Sequence, residues 1–456
     1  MMTIRRRIRL LRRLIYFYQV TVIFKSRLDK WTKPVARVSL RLFSLLTALF
    51  ASLILFDSKD GALQGLAWGP KLVASALSPF LAVLGGLFAF WGIKYRDWYS
   101  TAAGLLSAGI AINHVRNLTP SHEAEFVQAF GPDWVDQIPP DVRARLRSYR
   151  WAPLYRRRRY GALHRDVVFG VNSDSGRPLT ADLMQPPPGV PRTGLATIFV
   201  HGGGWWYGHK NITKFPFFER LVSQGHVVMD INYTLAPHSS VLGMVKDVKQ
   251  AILWLKQHAA TFEIDPTRIV LTGQSAGAHL SLLAAYTPND PALQPDGIAG
   301  DSAVRGVISY QGPTDMVALY EDTQHRFVRL FPNRLVTEAH RLLELVSGHG
   351  SSLAGGIASV MGGTPAEIPD LYRQLSPITY AGAACPPTLL LQGNHDLLVD
   401  HRDVERLYQT LRSAQAPVVY IPFPQCNHAF EAVLPRLSPP AQTAAYYTER
   451  FLAVLV

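Results

Sequence analysis

The sequence predicts an α/β protein: a mostly parallel sheet covered by helices on both faces, preceded by an N-terminal region of membrane-type helices. Three observations carry that prediction. From about residue 163, short apolar or β-branched runs alternate with helical patterns. Those runs lack the polar alternation of a half-exposed strand, so both their faces are buried. The first 113 residues hold long apolar stretches, and the excess positive charge collects around them.

Charge is split along the chain. The formal net charge is +13 over 456 residues. Residues 1–160 carry 25 Lys and Arg against 9 Asp and Glu, a net of +16, and residues 161–456 carry a net of −3. The basic character belongs to the N-terminal part. No nucleic-acid groove is expected in the C-terminal part, and a membrane-flanking role suits the arginines.

The chain opens MMTIRRRIRLLRRLIYFYQVTVIF, basic and then apolar, like a signal peptide. It runs on into KSRLDKWTK without a small-x-small site, so no cleavage is expected; an amphipathic, surface-lying segment fits better than an export signal. Three apolar stretches come next. Residues 42–56 are short for a span but extend back to about Val38 if Arg41 snorkels. Residues 72–93 carry no charge, and that length meets the roughly 20 residues a bilayer crossing needs. Trp91 and Trp98 suit an interfacial belt. Residues 98–113 are rich in small residues and suit either a span or a buried helix. Twelve Lys and Arg precede residue 42, which puts the N-terminus on the cytoplasmic side. Three spans would put the C-terminal domain outside and two would keep it inside; three are favoured. The arginine run 156–159 lies too far from any span to count. The expected division is therefore 1–113, a basic N-terminus and two to three membrane helices; 114–160, a polar, proline-punctuated connector; and 161–456, a catalytic domain.

Within that domain, 164–171 and 179–185 read as an antiparallel hairpin. Parallel strands come after it at 195–200, 226–232, 268–273, 304–310, 387–393 and 418–423, with helical patterns at 213–224, 241–259, 275–286 and 402–413 between them. Ligand sites in such sheets lie beyond the carboxyl ends of the strands. There the sequence places HGGGWW (201–206), GQSAG (273–277), GNHDLLVD (393–400) and PQCNHAF (424–430). A glycine-rich loop, a serine, an aspartate and a histidine thus gather on one edge.

The residue types fit nucleophilic catalysis. A serine hydroxyl needs a base, His428, and the base needs an orienting carboxylate, Asp396. Asp400 is the fallback acid, better suited to capping the helix near 402. The sharp turn at Ser275 needs small neighbours, Gly273, Ala276 and Gly277. Backbone N–H groups of Gly203, Gly204 and Ala276 are candidates for an oxyanion hole. The plainer alternatives are a packing turn for Ser275 and a surface site for His428; His395, one residue from the acid, is a poor rival base. His201 is expected to tie its loop down. Trp205 and Trp206 fit either an acyl pocket or plain packing. Cys385 and Cys426 are expected to be free, and Cys426 lacks a second base to make it a nucleophile. The histidines and cysteines show no metal-ligand spacing, so neither metal nor cofactor is expected. The long segment 312–380, with its apolar helical stretches 327–335 and 340–346 and its Gly/Ser-rich stretch 347–363, suggests a lid or acyl pocket.

The stretches VHGGGWW, DINYTLAP (230–237), IDPTRIVLTGQSAGAHL (264–280), SPITY (376–380), QGNHDLLV (392–399) and NHAF (427–430) resemble α/β-hydrolases of the hormone-sensitive-lipase type of carboxylesterases. HGGGWWYGHK with GQSAGAHL is similar to the feruloyl-esterase-like, arylformamidase and isoprenylcysteine-methylesterase branches. The resemblance covers residues 195–430. It implies an α/β-hydrolase fold, catalytic Ser275, Asp396 and His428, and oxyanion donors Gly203, Gly204 and Ala276. Gln274 departs from the pattern, which usually has an acidic residue there. The expected protein is a membrane-anchored serine hydrolase that cleaves a small-molecule or lipidic carboxylic ester through an acyl-enzyme. The alternatives are an amide or formamide hydrolase with the same triad, and a non-catalytic hydrolase-like membrane scaffold. Three marginal spans without an intramembrane ionisable cluster argue against a transporter.

Overall fold

Strands that are buried on both faces form the core of the larger unit in the structure, a computed structural model that describes residues 34–58, 61–153, 161–211, 218–324 and 353–456. The chain divides into two units, Met1–Ser52 with Pro79–Asn113, and Leu53–Ser78 with His114–Val456.

The second unit holds one eight-stranded sheet. Its strands are β1 (Leu163–Val171), β2 (Pro178–Met184), β3 (Ala196–Val200), β4 (Val227–Ile231), β5 (Ile269–Gln274), β6 (Gly306–Tyr310), β7 (Thr388–Gly393) and β8 (Val418–Phe423), in the spatial order β1-β2-β4-β3-β5-β6-β7-β8. β1 and β2 pair antiparallel, as do β2 and β4, and every later pairing is parallel. All residues of β3, β4, β5, β6 and β7 are buried. That is why these strands read as unbroken apolar runs. Neighbouring residues serve opposite faces. Ile198 and Val200 join the core under the helices Val241–Gln257 and Ala276–Tyr286, whereas Phe199 joins Phe218 and Phe451 on the other face.

The segment read as a connector helps to fill that second face. Phe126, Trp134, Ile138 and Val142 are buried in the same cluster as Phe451. Helix boundaries obey local chemistry. Ser240 caps Val241–Gln257 through Gly243 N, and Ser438 caps Pro439–Val454 through Ala441 N. Of the helical pattern 213–224, Phe218–Ser223 is a helix; 212–217 lies outside the described residues, as do 1–33, the arginine run 156–159 and 325–352, which holds both apolar stretches of the long insertion and the start of 347–363.

The described residues of the first unit are helical. The uncharged run 72–93 is divided between two helices, Gly61–Ala76 and Ser78–Tyr95. Pro79 explains the break, because it has no N–H to continue the earlier helix but is well placed at the start of a new one. Pro34–Leu55 and Ser78–Tyr95 are long and apolar enough to cross a membrane; Trp98–Asn117 is long but less apolar. Ser78–Tyr95 and Trp98–Asn117 meet backbone to backbone over small residues. A Cβ on Gly85 would come within 2.6 Å of Gly104 O, and one on Gly92 within 2.5 Å of Thr101 N. Arg41 Nε pairs with buried Asp97 at 2.8 Å. Large apolar side chains of all three helices point outward, among them Leu42, Leu49, Val83, Phe90 and Leu105.

Candidate active site

Ser275 sits between β5 and the helix Ala276–Tyr286 with φ 53° and ψ −123°. A non-glycine residue rarely adopts this conformation, and such strain is held where the surroundings enforce it. They do so here by close packing. A Cβ on Gly273 would lie 2.3 Å from Gly277 O, and a Cβ on Gly277 would lie 2.1 Å from Val200 O. Ser275 N donates to Tyr310 O at 2.8 Å. The hydroxyl does not cap the helix.

Instead, Ser275 Oγ lies 2.9 Å from His428 Nε2, and His428 Nδ1 lies 2.8 Å from Asp396 Oδ2. Three residues spread over 153 positions thus form one hydrogen-bonded row. Asp396 is anchored at its other oxygen, Oδ1, which accepts Leu398 N at 2.8 Å and Val399 N at 2.9 Å; Gln392 Nε2 donates to Oδ2 at 3.1 Å. Burial disfavours a charged His428, but the Asp396 carboxylate outweighs it and raises the imidazole pKa above its ordinary value.

The glycine loop lies against the serine turn. A Cβ on Gly202 would come within 3.1 Å of Ser275 Cβ. Gly203 has φ +132°, and a Cβ there would overlap Tyr207 O; Gly204 has φ +62°. Ala276 opens the next helix, whose first N–H groups have no partner within the helix. His201 Nδ1 donates to Gly202 O at 2.8 Å, and burial drives its pKa down to about 4. A neutral ring that ties the loop down is the role expected of it. Trp205 is buried and its indole N–H donates to His279 Nδ1 at 3.2 Å, which favours packing over pocket lining. Trp206 is half-buried and packs near Gly356.

The rival residues lie elsewhere. Asp400 accepts Arg402 N at 2.9 Å and caps the helix His401–Ser413. His395 Nδ1 accepts from Lys71 Nζ at 2.6 Å. Both cysteines are free and buried, and burial pushes the Cys426 thiol up to about 12, which keeps it protonated. Among the described residues, no group of His, Cys, Asp and Glu is placed to hold a metal ion.

Sequence reasoning missed two residues beside His428. Gln311, at the end of β6, accepts Ala429 N at 2.7 Å and donates to buried Glu431 at 2.8 Å. The position of Glu431, three residues past the histidine, was the one signal that pointed to it. The helix Gly61–Ala76 was missed as well.

The BD-FAE family profile matches residues 182–411. Esterase LipQ of Mycobacterium tuberculosis is 30% identical over 68% of this chain and 68% of its own length. Esterase LipC of the same organism is 29% identical over 77% of this chain and 81% of its own. Among solved structures, the esterase Est2 of Thermogutta terrifontis is 22% identical over 63% of this chain and 92% of that chain, with a TM-score of 0.46.

Proposed function

We propose a function from one premise: the chain belongs to the BD-FAE family, among the α/β-hydrolase esterases of the hormone-sensitive-lipase type. It is a carboxylic ester hydrolase, and Ser275, His428 and Asp396 are its catalytic triad. The observation that carries the assignment is the hydrogen-bonded row from Asp396 through His428 to a serine held at φ 53°.

The proposed chemistry uses this geometry. Asp396 accepts from His428 Nδ1–H and leaves Nε2 free to receive a proton. Ser275 Oγ attacks the ester carbonyl carbon while its proton passes to Nε2. The carbonyl oxygen becomes an oxyanion facing the N–H groups of Ala276, Gly203 and Gly204. The intermediate collapses, His428 Nε2–H protonates the departing alkoxide, and an alcohol leaves. Water, deprotonated by the same nitrogen, then attacks the acyl-enzyme, which releases the acid and returns the proton to Ser275. No cofactor is required.

The base works only when neutral, and its pKa is raised. On the acid side, kcat/KM should therefore rise with pH through a midpoint above the ordinary imidazole value of about 6.5. A pH profile with p-nitrophenyl esters measures the midpoint, and the matching anilides separate the ester from the amide assignment. Hydrolysis of anilides in preference to esters would overturn the ester assignment.

A membrane anchor completes the proposal. The outward apolar side chains of the first unit suit lipid contact. Three crossings, by Pro34–Leu55, Ser78–Tyr95 and Trp98–Asn117, would put the catalytic domain opposite the cytoplasmic N-terminus. A lipidic or membrane-derived ester suits that location. The full chain should stay with membranes through an alkaline carbonate wash; release into the supernatant would overturn the anchor.

A further inference from the structure

The helix Gly61–Ala76 precedes β1 by 86 residues of chain, yet it belongs to the same unit as the sheet. Three of its polar side chains, at positions 68, 71 and 75, share one helical face. Two of them reach a loop that carries a triad residue directly, and the third does so through His114. Trp68 Nε1 donates to the backbone carbonyl of His428 at 2.9 Å, and the two rings lie 6.5 Å apart. Lys71 Nζ donates to His395 Nδ1 at 2.6 Å, on the residue before Asp396, and to Phe56 O at 2.5 Å. Ser75 Oγ donates to His114 Nε2 at 2.8 Å, and His114 Nδ1 donates to Gln425 Oε1 at 3.0 Å, three residues before His428.

This face is costly to build. Lys71 is 1% exposed, Ser75 2% and His114 0%. Burying an ammonium group carries a desolvation penalty that its partners must offset. Burial lowers the Lys71 pKa to about 8, with Asp57 only partly opposing it. A helix that served only as a tether would bury apolar side chains in these positions and lose nothing.

We propose that Trp68 and Lys71 are positioning residues for the triad: the helix clamps the His428 loop and the Asp396 loop in the register that aligns Nδ1 with one and Nε2 with Ser275. The proposal rests on the triad assignment. His428 must hold two side-chain bonds at once, and its own carbonyl is fixed from outside the loop by Trp68. Loosening that carbonyl lets the ring drift from Ser275 Oγ, and misplacement of about 1 Å can cost on the order of 100-fold in rate.

The test uses the full chain and two variants, Trp68→Phe, which keeps a ring and removes the N–H, and Lys71→Met. Trp151→Phe is the control, since Trp151 Nε1 also donates to a backbone carbonyl, Leu437 O, at 2.8 Å. Ester turnover is expressed per serine titrated to completion with a fluorophosphonate, and melting temperature is measured alongside. The expected result is a fall in kcat of about tenfold or more in each of the two helix variants, with KM changed by less than about twofold. Trp151→Phe should lower the melting temperature without changing kcat. A purely structural helix would lower melting temperature and preserve kcat per titrated serine, and that outcome overturns the proposal while leaving the triad assignment intact. A wild-type chain that turns over no ester would overturn both.

Discussion

Ser275→Ala should lower ester turnover by roughly 10⁴- to 10⁶-fold while the protein still folds. The size reflects what the hydroxyl does. In the proposed mechanism it forms the bond that splits one difficult step into two, and no neighbouring group is placed to replace it. Cys426, two residues before His428, is a buried thiol held protonated. The fold should survive because Ala is smaller than Ser and the hydroxyl makes no helix cap. Alanine at φ 53° carries strain similar to that of serine, so the melting temperature should change little. KM for a soluble ester should stay near wild type, since the hydroxyl contributes mainly in the transition state. The measurement pairs steady-state kinetics with fluorophosphonate labelling of the wild type and the variant. Labelling that persists in Ser275→Ala would mean another nucleophile and would sink the assignment.

The candidate site was legible because its residues stand at the ends of strands, and the strands announce themselves. Runs such as 268–273 and 387–393 are apolar on both faces because helices cover both faces. The loops at the carboxyl ends of such runs must then share one edge of a parallel sheet. Ser275, Asp396 and His428 could be brought together on that logic without knowing any distance. Strand order could not. β4 lies outside β3, and nothing in the composition of either strand says so. The helix Gly61–Ala76 stayed hidden for a different reason. The run 72–93 has the length and apolarity of one span, and only Pro79 hints that it divides. Lys71 then reads as a charged flank of a span, whereas it is buried against the acid loop. A hydrogen bond between residues 360 positions apart, such as that of Trp68 to His428, leaves no periodic trace in a sequence. Gln311 and Glu431 escaped similarly, since a glutamine at a strand end has several common explanations.

Asp396→Asn should lower kcat by about 10⁴-fold, and its pH dependence should show why. The Asn Oδ1 can keep the bonds from Leu398 N and Val399 N, so the loop holds its shape. Its amide nitrogen would then face His428 Nδ1 as a donor. That forces Nδ1 to accept and puts the proton on Nε2, where it cannot take the proton of Ser275. The charge is lost as well. In the wild type, burial lowers the His428 pKa and Asp396 more than reverses it. With Asp396 neutral, burial prevails and the pKa falls, so the acid limb of kcat/KM should move to lower pH as the plateau drops. Asp400→Asn provides the contrast. Asp400 caps the helix His401–Ser413 and pairs with Arg402, and asparagine caps nearly as well as aspartate. Its kcat and acid limb should match the wild type. If Asp400→Asn instead lost the activity and shifted the limb, while Asp396→Asn kept both, the acid of the triad would have to be reassigned. A plateau lowered in Asp396→Asn with an unmoved acid limb would mean that the carboxylate orients His428 without setting its charge.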